Sequence, residues 1–258
     1  MKFVQEIWKY RQMLASLVKR DLKSRYQGSF LGFLWMFLNP LMQLAVYTLV
    51  FSTIMRSGIE DFYMFLFVAL IPWLFFSTCL SAGTTVVFAQ QDMVKKIYFP
   101  REILPIAFTV SQFVNMLLSF IVIFAAAVLR GAWIEPAAWL CLPCVMLIEF
   151  FLALGITFFT AALAVYFRDL EHILAIVSMA LMYLTPVIYP MEMVPKQYQS
   201  VIYMNPMSSV IIAYREILYY GRVPQWQNLK NAALSGIIVL ILGKITFSRL
   251  QRGFAEEL

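Results

Sequence analysis

Residues whose types could do chemistry are few in this chain, and their spacing argues against catalysis. The single histidine, His172, follows Arg168, Asp169 and Glu171, a polar turn that suits the start of a helix better than a general base. Cys141 and Cys144 have C-x-x-C spacing, yet they lie in an apolar run with no second ligand pair nearby. Packing explains them better than metal or redox chemistry, and three cysteines make no disulfide framework. No G-x-x-x-x-G-K-[ST] phosphate cradle occurs, since Gly28, Gly32 and Gly243 are not so arranged. Carboxylate pairs and His/Asp/Glu clusters at ligand spacing are also missing from the sequence. The chain reads as a non-enzyme without a cofactor of its own, and any ATP it depends on must be bound by another chain.

The polar residues inside apolar runs are more informative, because such groups are costly in lipid and turn toward a bundle interior or cavity. Glu149 is the only acid well inside such a run; Asn39, Gln43, Gln112 and Asn115 accompany it elsewhere. They form either a polar lining or hydrogen bonds between helices. The second reading suits Gln112 and Asn115 better, and for Glu149 the two are balanced. Trp35, Phe37, Tyr47, Phe51, Trp73, Phe75, Phe76, Tyr183 and Tyr189 offer planes on which apolar sugar faces could lie, as bases lie on aromatic platforms; packing and anchoring are the alternative. Arg20, Lys23 and Arg25 form a basic cluster at headgroup level whose arginines match phosphate geometry bidentately.

The elements that position these residues follow from composition. Of 258 residues 62% are hydrophobic and 13% charged, against about 25% charged in a soluble domain; the solvent of this chain must be lipid. A span needs about 20 mainly apolar residues. Six windows qualify, at 30–55, 62–87, 103–129, 137–166, 173–189 and 229–247. The fold class expected is therefore all-α, a polytopic membrane protein with six transmembrane helices and both termini on one side. Lys9, Lys19, Arg20, Lys23 and Arg25 before the first span, Lys95, Lys96 and Arg101 in the second-to-third connection, and Arg249 and Arg252 in the tail place that side in the cytoplasm by the positive-inside rule. The net charge of +6 is accordingly directed at anionic lipid and an intracellular partner, not nucleic acid. The first thirty residues lack the apolar core of a cleavable signal peptide.

Before the first span, Ile7, Tyr10, Leu14, Leu17, Val18 and Leu22 recur at helical spacing among basic residues, the pattern of a helix lying along the interface over 1–28; a positive anchor that only sets topology is the plainer alternative. The connection 90–101, QQDMVKKIYFPR, mixes Met93, Ile97, Tyr98 and Phe99 with Asp92, Lys95 and Lys96. That density of apolar residues favours a knob gripped by a soluble partner over a bare linker. Between 189 and 230, four prolines flank an apolar run at 210–217 too short to span. This predicts short re-entrant or interfacial helices before the last span, one capped by Asn205 with Pro206 at its first turn. The chain divides into an interface helix (1–28), a six-helix bundle (30–247) and a cytoplasmic tail (248–258) of one domain.

The segments RDLKSRYQGSFLGFLWMFLNPL (20–41), VKKIYFPREILP (94–105), YFRDL (166–170), TPVIYP (185–190) and NPMSSVIIAYREILYYG (205–221) together make the chain resemble, over essentially its full length, the transmembrane subunit of ABC-2-type exporters of lipid-linked polysaccharide. The resemblance implies a homodimer bound to two cytoplasmic ABC ATPase subunits, which hold ATP and Mg, in the bacterial inner membrane. It implies as cargo a glycan on undecaprenyl diphosphate, O-antigen foremost, with capsule or wall teichoic acid as alternatives and a small lipid or drug as a more distant one. Carried onto this sequence, ATPase coupling falls on Lys19, Arg20, Asp92, Met93, Lys95, Lys96, Tyr98 and Arg101. A path along the first and fifth spans falls on Trp35, Asn39, Tyr47, Phe51, Tyr183 and Tyr189, with Glu149 as a further candidate. Contact with the carrier diphosphate is assigned to Arg20, Lys23 and Arg25.

Overall fold

In a computed structural model, residues 2–24, 31–54, 58–131 and 133–258 are described, and among them every regular element is helical. Arg25, at the end of the basic cluster, lies outside the described residues. The chain starts with two short helices, α1 (Lys2–Lys9) and α2 (Arg11–Ser24), where the periodicity predicts one; a turn at Tyr10 separates them, for which the contacts give no cause. Then come α3 (Trp35–Thr48), α4 (Phe62–Ser81), α5 (Gln91–Lys96), α6 (Ile103–Leu129), α7 (Pro136–Tyr166) and α8 (Leu170–Leu184). Short helices α9 (Lys196–Met204) and α10 (Pro206–Leu218) precede the last long helix, α11 (Trp226–Leu250), and a final turn, α12 (Phe254–Glu257).

Among the described residues five helices are long and apolar enough to cross a membrane: Trp35–Ser52, Phe62–Thr85, Ile103–Leu129, Pro136–Tyr166 and Trp226–Gly253. The sixth window is the 15-residue α8, which at 1.5 Å per residue reaches about 23 Å against a hydrocarbon core of about 30 Å. Its shortness has a local cause. Thr185 precedes Pro186 and takes an extended conformation (φ −112°, ψ 138°), as the residue before proline must to avoid its ring.

The long helices associate without a hydrophobic effect between them, because lipid tails are as apolar as leucine; close backbone packing and hydrogen bonds do the work. α7 and α11 show this best. A Cβ on Gly155 would lie 2.6 Å from the backbone of Leu240, and one on Gly243 would run into the Gly155 carbonyl. Thr109 on α6 meets Thr157 on α7 with their hydroxyls 3.2 Å apart. The main core gathers α4, α6, α7 and α10 around Phe65, Phe120, Val145, Leu152, Tyr214 and Ile217. By contrast, α8 buries no residue completely, and α3 buries only Met36 and Pro40.

A second apolar cluster closes one end of the bundle. It joins Val86, Val94, Phe99, Leu104, Phe158 and Val165 to Phe247 and Phe254 near the carboxyl terminus, with Ile7, Tyr10, Leu14 and Leu17 packed against it. The amino-terminal helices and the tail therefore share one end of the bundle.

Candidate functional site

The shared end is built from three stretches. α2 lies along α6, and Arg20 Nη2 donates to Gln90 Oε1 at 2.6 Å, tying the amino-terminal helix to the connection after α4. α5 divides its residues between two faces: Val94 is buried and Met93 half-buried in the apolar cluster, while Asp92, Lys95 and Lys96 are exposed and Tyr98 stands 97% exposed. Lys96 pairs with Asp92 at 3.3 Å, an exposed i,i+4 pair of little energetic weight. Lys19 and Lys23 are exposed on α2. The coupling candidates Lys19, Arg20, Asp92, Met93, Lys95, Lys96, Tyr98 and Arg101 thus fall on one end of the molecule.

The tail completes this end through Gln251 and Phe254, which lie beside the two arginines that mark it as basic. Arg101 donates to the Gln251 carbonyl and its guanidinium lies 5.9 Å from the Phe254 ring centre. Gln251 Nε2 donates to Glu102 Oε1 at 2.9 Å, and Tyr166 OH to the Leu250 carbonyl at 2.9 Å. Phe254 is fully buried against Phe247. A lone aromatic in the polar stretch QRGFAEEL was the available signal. Between Lys9, Tyr10, Tyr98, Arg101, Gln251 and Arg252 opens a groove of about 760 Å³.

The path candidates separate into three places. Tyr47 on α3 reaches α8, its hydroxyl 3.9 Å from Met182 Sδ, beside exposed Tyr183; Tyr189 OH donates to the Tyr183 carbonyl at 2.9 Å. Phe51 stacks on Phe62, ring centres 6.0 Å apart. The first and fifth windows therefore meet in a thin seam. Trp35 and Asn39, from the first turns of α3, lie on a pocket of about 140 Å³ shared with α4 and α6, lined also by Thr78, Gln112, Asn115 and Ser119. Glu149 is placed elsewhere. It is fully buried in the subunit core, where Tyr214 OH donates to its Oε2 at 2.6 Å. Among the described residues no group of three or more His, Cys, Asp or Glu stands where it could hold a metal.

At the end opposite the termini, α10 is a hub. Asn205 Oδ1 accepts from Met207 N at 3.0 Å and Pro206 fills the first turn, the start that the sequence predicts. Arg215, 4% exposed, donates to the carbonyls of Pro186 (2.6 Å), Val187 (2.5 Å), Tyr189 (3.1 Å) and Phe65 (3.3 Å), and lies 3.6 Å over the Phe65 ring. Buried Glu216 accepts from Arg222 Nη2 at 3.3 Å and Gln225 N at 2.9 Å. One residue pair thus fixes the TPVIYP loop on one side and the approach to α11 on the other.

Known proteins are similar to this sequence along most or all of its length. The family described as ABC-2 type transporter matches residues 12–219. The chain is 35% identical over 261 residues to the O-antigen export system permease protein RfbA of Myxococcus xanthus, covering 100% of this chain and 99% of that one. It is 30% identical over 248 residues to RfbA of Klebsiella pneumoniae, covering 95% of each. With the polysialic acid transport protein KpsM of Escherichia coli it shares 24% over 234 residues, 88% of this chain and 89% of that one. On the family match and the full-length likeness, the chain belongs to the ABC-2 type transporter family.

Proposed function

We propose that this chain is the membrane-spanning subunit of an ATP-driven exporter that carries undecaprenyl-diphosphate-linked polysaccharide, O-antigen foremost, out of the cytoplasm across the bacterial inner membrane. The observation that carries the reading is the likeness to an O-antigen export permease over the whole of both chains. The coupling end supports it: a transporter without a phosphate cradle needs a surface on which another chain can act, and α2, α5 and the tail present one.

Two copies of this subunit work with two cytoplasmic ABC ATPase subunits that bind ATP and Mg, and both termini face the cytoplasm. α8 is the sixth crossing, extended by the buried residues 185–188. ATPase closure pushes on Lys19, Arg20, Asp92, Met93, Lys95, Lys96, Tyr98 and Arg101. Through the Arg20–Gln90 bond and the apolar cluster beneath, it shifts α3 relative to α8 and extrudes the glycan stepwise. Arg20, Lys23 and Arg25 attract the carrier diphosphate. Capsule export is a second reading, favoured by a likeness of 24% over 266 residues to the capsule polysaccharide export inner-membrane protein CtrC of Neisseria meningitidis.

Deletion of the gene tests the proposal. The expected result is undecaprenyl-linked glycan accumulating in the cytoplasm and missing from the surface, restored by the intact gene; normal surface glycan after deletion overturns it.

A further inference from the structure

The pocket between α3, α4 and α6 has a chemistry that the helix packing does not use. Gln112 and Asn115 sit three residues apart on one face of α6, where side chains of a helix neighbour one another. Gln112 is 5% exposed. Its Nε2 donor and the Asn115 Oδ1 acceptor have no hydrogen-bond partner among the described residues. Gln112 lies nine residues into α6, about 14 Å from its start, at a depth where no bulk water compensates. An unmet buried polar group costs about 1–3 kcal/mol, and here two are held side by side.

The rest of the lining points the same way. Asn39 and Trp35 come from the first turns of α3, and Pro40, beside them, brings no N–H to the Met36 carbonyl four residues back. Thr78 and Ser119 spend their hydroxyl protons on their own helices, on the carbonyls of Leu74 (2.7 Å) and Asn115 (3.0 Å), leaving oxygens that accept. Among the described residues no charged side chain lines the pocket. One free amide donor, several acceptors and an indole match a group that both donates and accepts while carrying no charge and showing apolar C–H faces. The volume of about 140 Å³ holds several hydroxyls, at about 30 Å³ per water-sized group in the liquid.

We infer that this niche is a subsite for a neutral, hydroxyl-rich group, a single sugar ring of the cargo, bound by Gln112, Asn115 and Asn39 with Trp35 against its C–H face. The inference rests on the reading of the chain as a glycan exporter, and it separates two tasks: the diphosphate is met by the basic cluster at the membrane surface, the sugar by amides inside the bundle.

The test compares the full transporter complex carrying Q112L/N115L with the wild type and with the amide-preserving swap Q112N/N115Q. Surface glycan is measured in the deletion strain, and melting temperature is measured for the purified complex in a sugar-free detergent with and without 100 mM methyl glucoside. Q112L/N115L is expected to melt at or above the wild-type temperature, to lose the upward shift that methyl glucoside gives the wild type, and to export at least fivefold less glycan, the swap recovering most of both. Wild-type export by Q112L/N115L, or no methyl glucoside shift in the wild type, overturns the subsite and leaves the exporter reading standing; a niche that only holds water gives the first result. A lower melting temperature for Q112L/N115L, with export falling in proportion, also overturns it and makes the amides structural. Failure of the wild-type gene to restore surface glycan while the methyl glucoside shift persists in the wild type and vanishes in Q112L/N115L sinks the exporter reading and keeps the subsite.

Discussion

Tyr214 on the short helix α10 donates its hydroxyl to Glu149 in the middle of α7 at 2.6 Å, both residues fully buried. The bond pins the hub to the longest span. Glu149 Oε1 has no partner among the described residues, so the Tyr214 bond to Oε2 is the carboxyl group's one support among them. Tyr214→Phe should therefore destabilise the purified subunit by about 1–3 kcal/mol, the cost of an orphaned buried group. Adding Glu149→Leu should recover most of that loss, because replacing both partners by apolar groups is close to neutral. Thermal melting of the single and double variants measures the coupling. If Glu149 faces the cargo instead, Tyr214→Phe leaves the melting temperature where it was.

Arg215 holds four carbonyls from two segments. Arg215→Lys keeps the charge but not the planar fork of donors, and a lysine has three donors on one nitrogen. Each charged hydrogen bond lost costs about 1.5–3 kcal/mol, so Arg215→Lys should lower thermal stability clearly and Arg215→Met more. Limited proteolysis should then cut first in the loop 185–195.

Gly155 and Gly243 set the distance between α7 and α11. Gly243→Val forces its side chain into the Gly155 carbonyl and should prevent stable accumulation of the protein in the membrane. Gly58, which has φ +70° and open space around its Cβ position, is the control: Gly58→Asn, a residue that tolerates the left-handed region, should accumulate normally. Quantitative blotting of membranes compares the two.

Phe254 anchors the tail beneath the coupling groove. Truncating a buried phenylalanine costs about 3–5 kcal/mol, and here it frees a segment held otherwise by Arg101, Gln251 and Tyr166. Phe254→Ala should reduce co-purification of the partner ATPase while leaving the long helices in place, which circular dichroism of the same preparation checks.

Charge-neutral replacement of Arg20, Lys23 and Arg25 together should depress export and the stimulation of ATPase turnover by lipid-linked glycan. Arg20→Gln alone should already weaken coupling, because it removes the charged partner of Gln90. Unchanged export and stimulation in the triple variant would sink the assignment of the diphosphate to this cluster.

How much of this could be read from residues alone follows from range. Span windows, the Asn205–Pro206 start and the amphipathic α5 depend on neighbours in sequence, and all three appear in the structure close to where periodicity places them. α8 ends at Leu184, five residues before the apolar window does at 189, because hydropathy does not register what Pro186 does to the residue before it. The functions of Arg215 and Glu216 were invisible for another reason. In sequence they are two charges closing an apolar run, and only the folded chain brings them the carbonyls of 186–189 and the amide of Gln225. Gln112 and Asn115 read as helix-to-helix glue. In the structure Gln112 Nε2 and Asn115 Oδ1 have no hydrogen-bond partner among the described residues, a detail that depends on which helices face them and that sequence does not carry.

The glycine contact between α7 and α11 also bears on stiffness. Backbones that touch have no side-chain layer to shear, so these two helices form a keel. α3 and α8 meet at little more than Tyr47 and Met182 and form a compliant wall beside it. A displacement imposed at the terminal end would meet less resistance in that wall than between the two glycines.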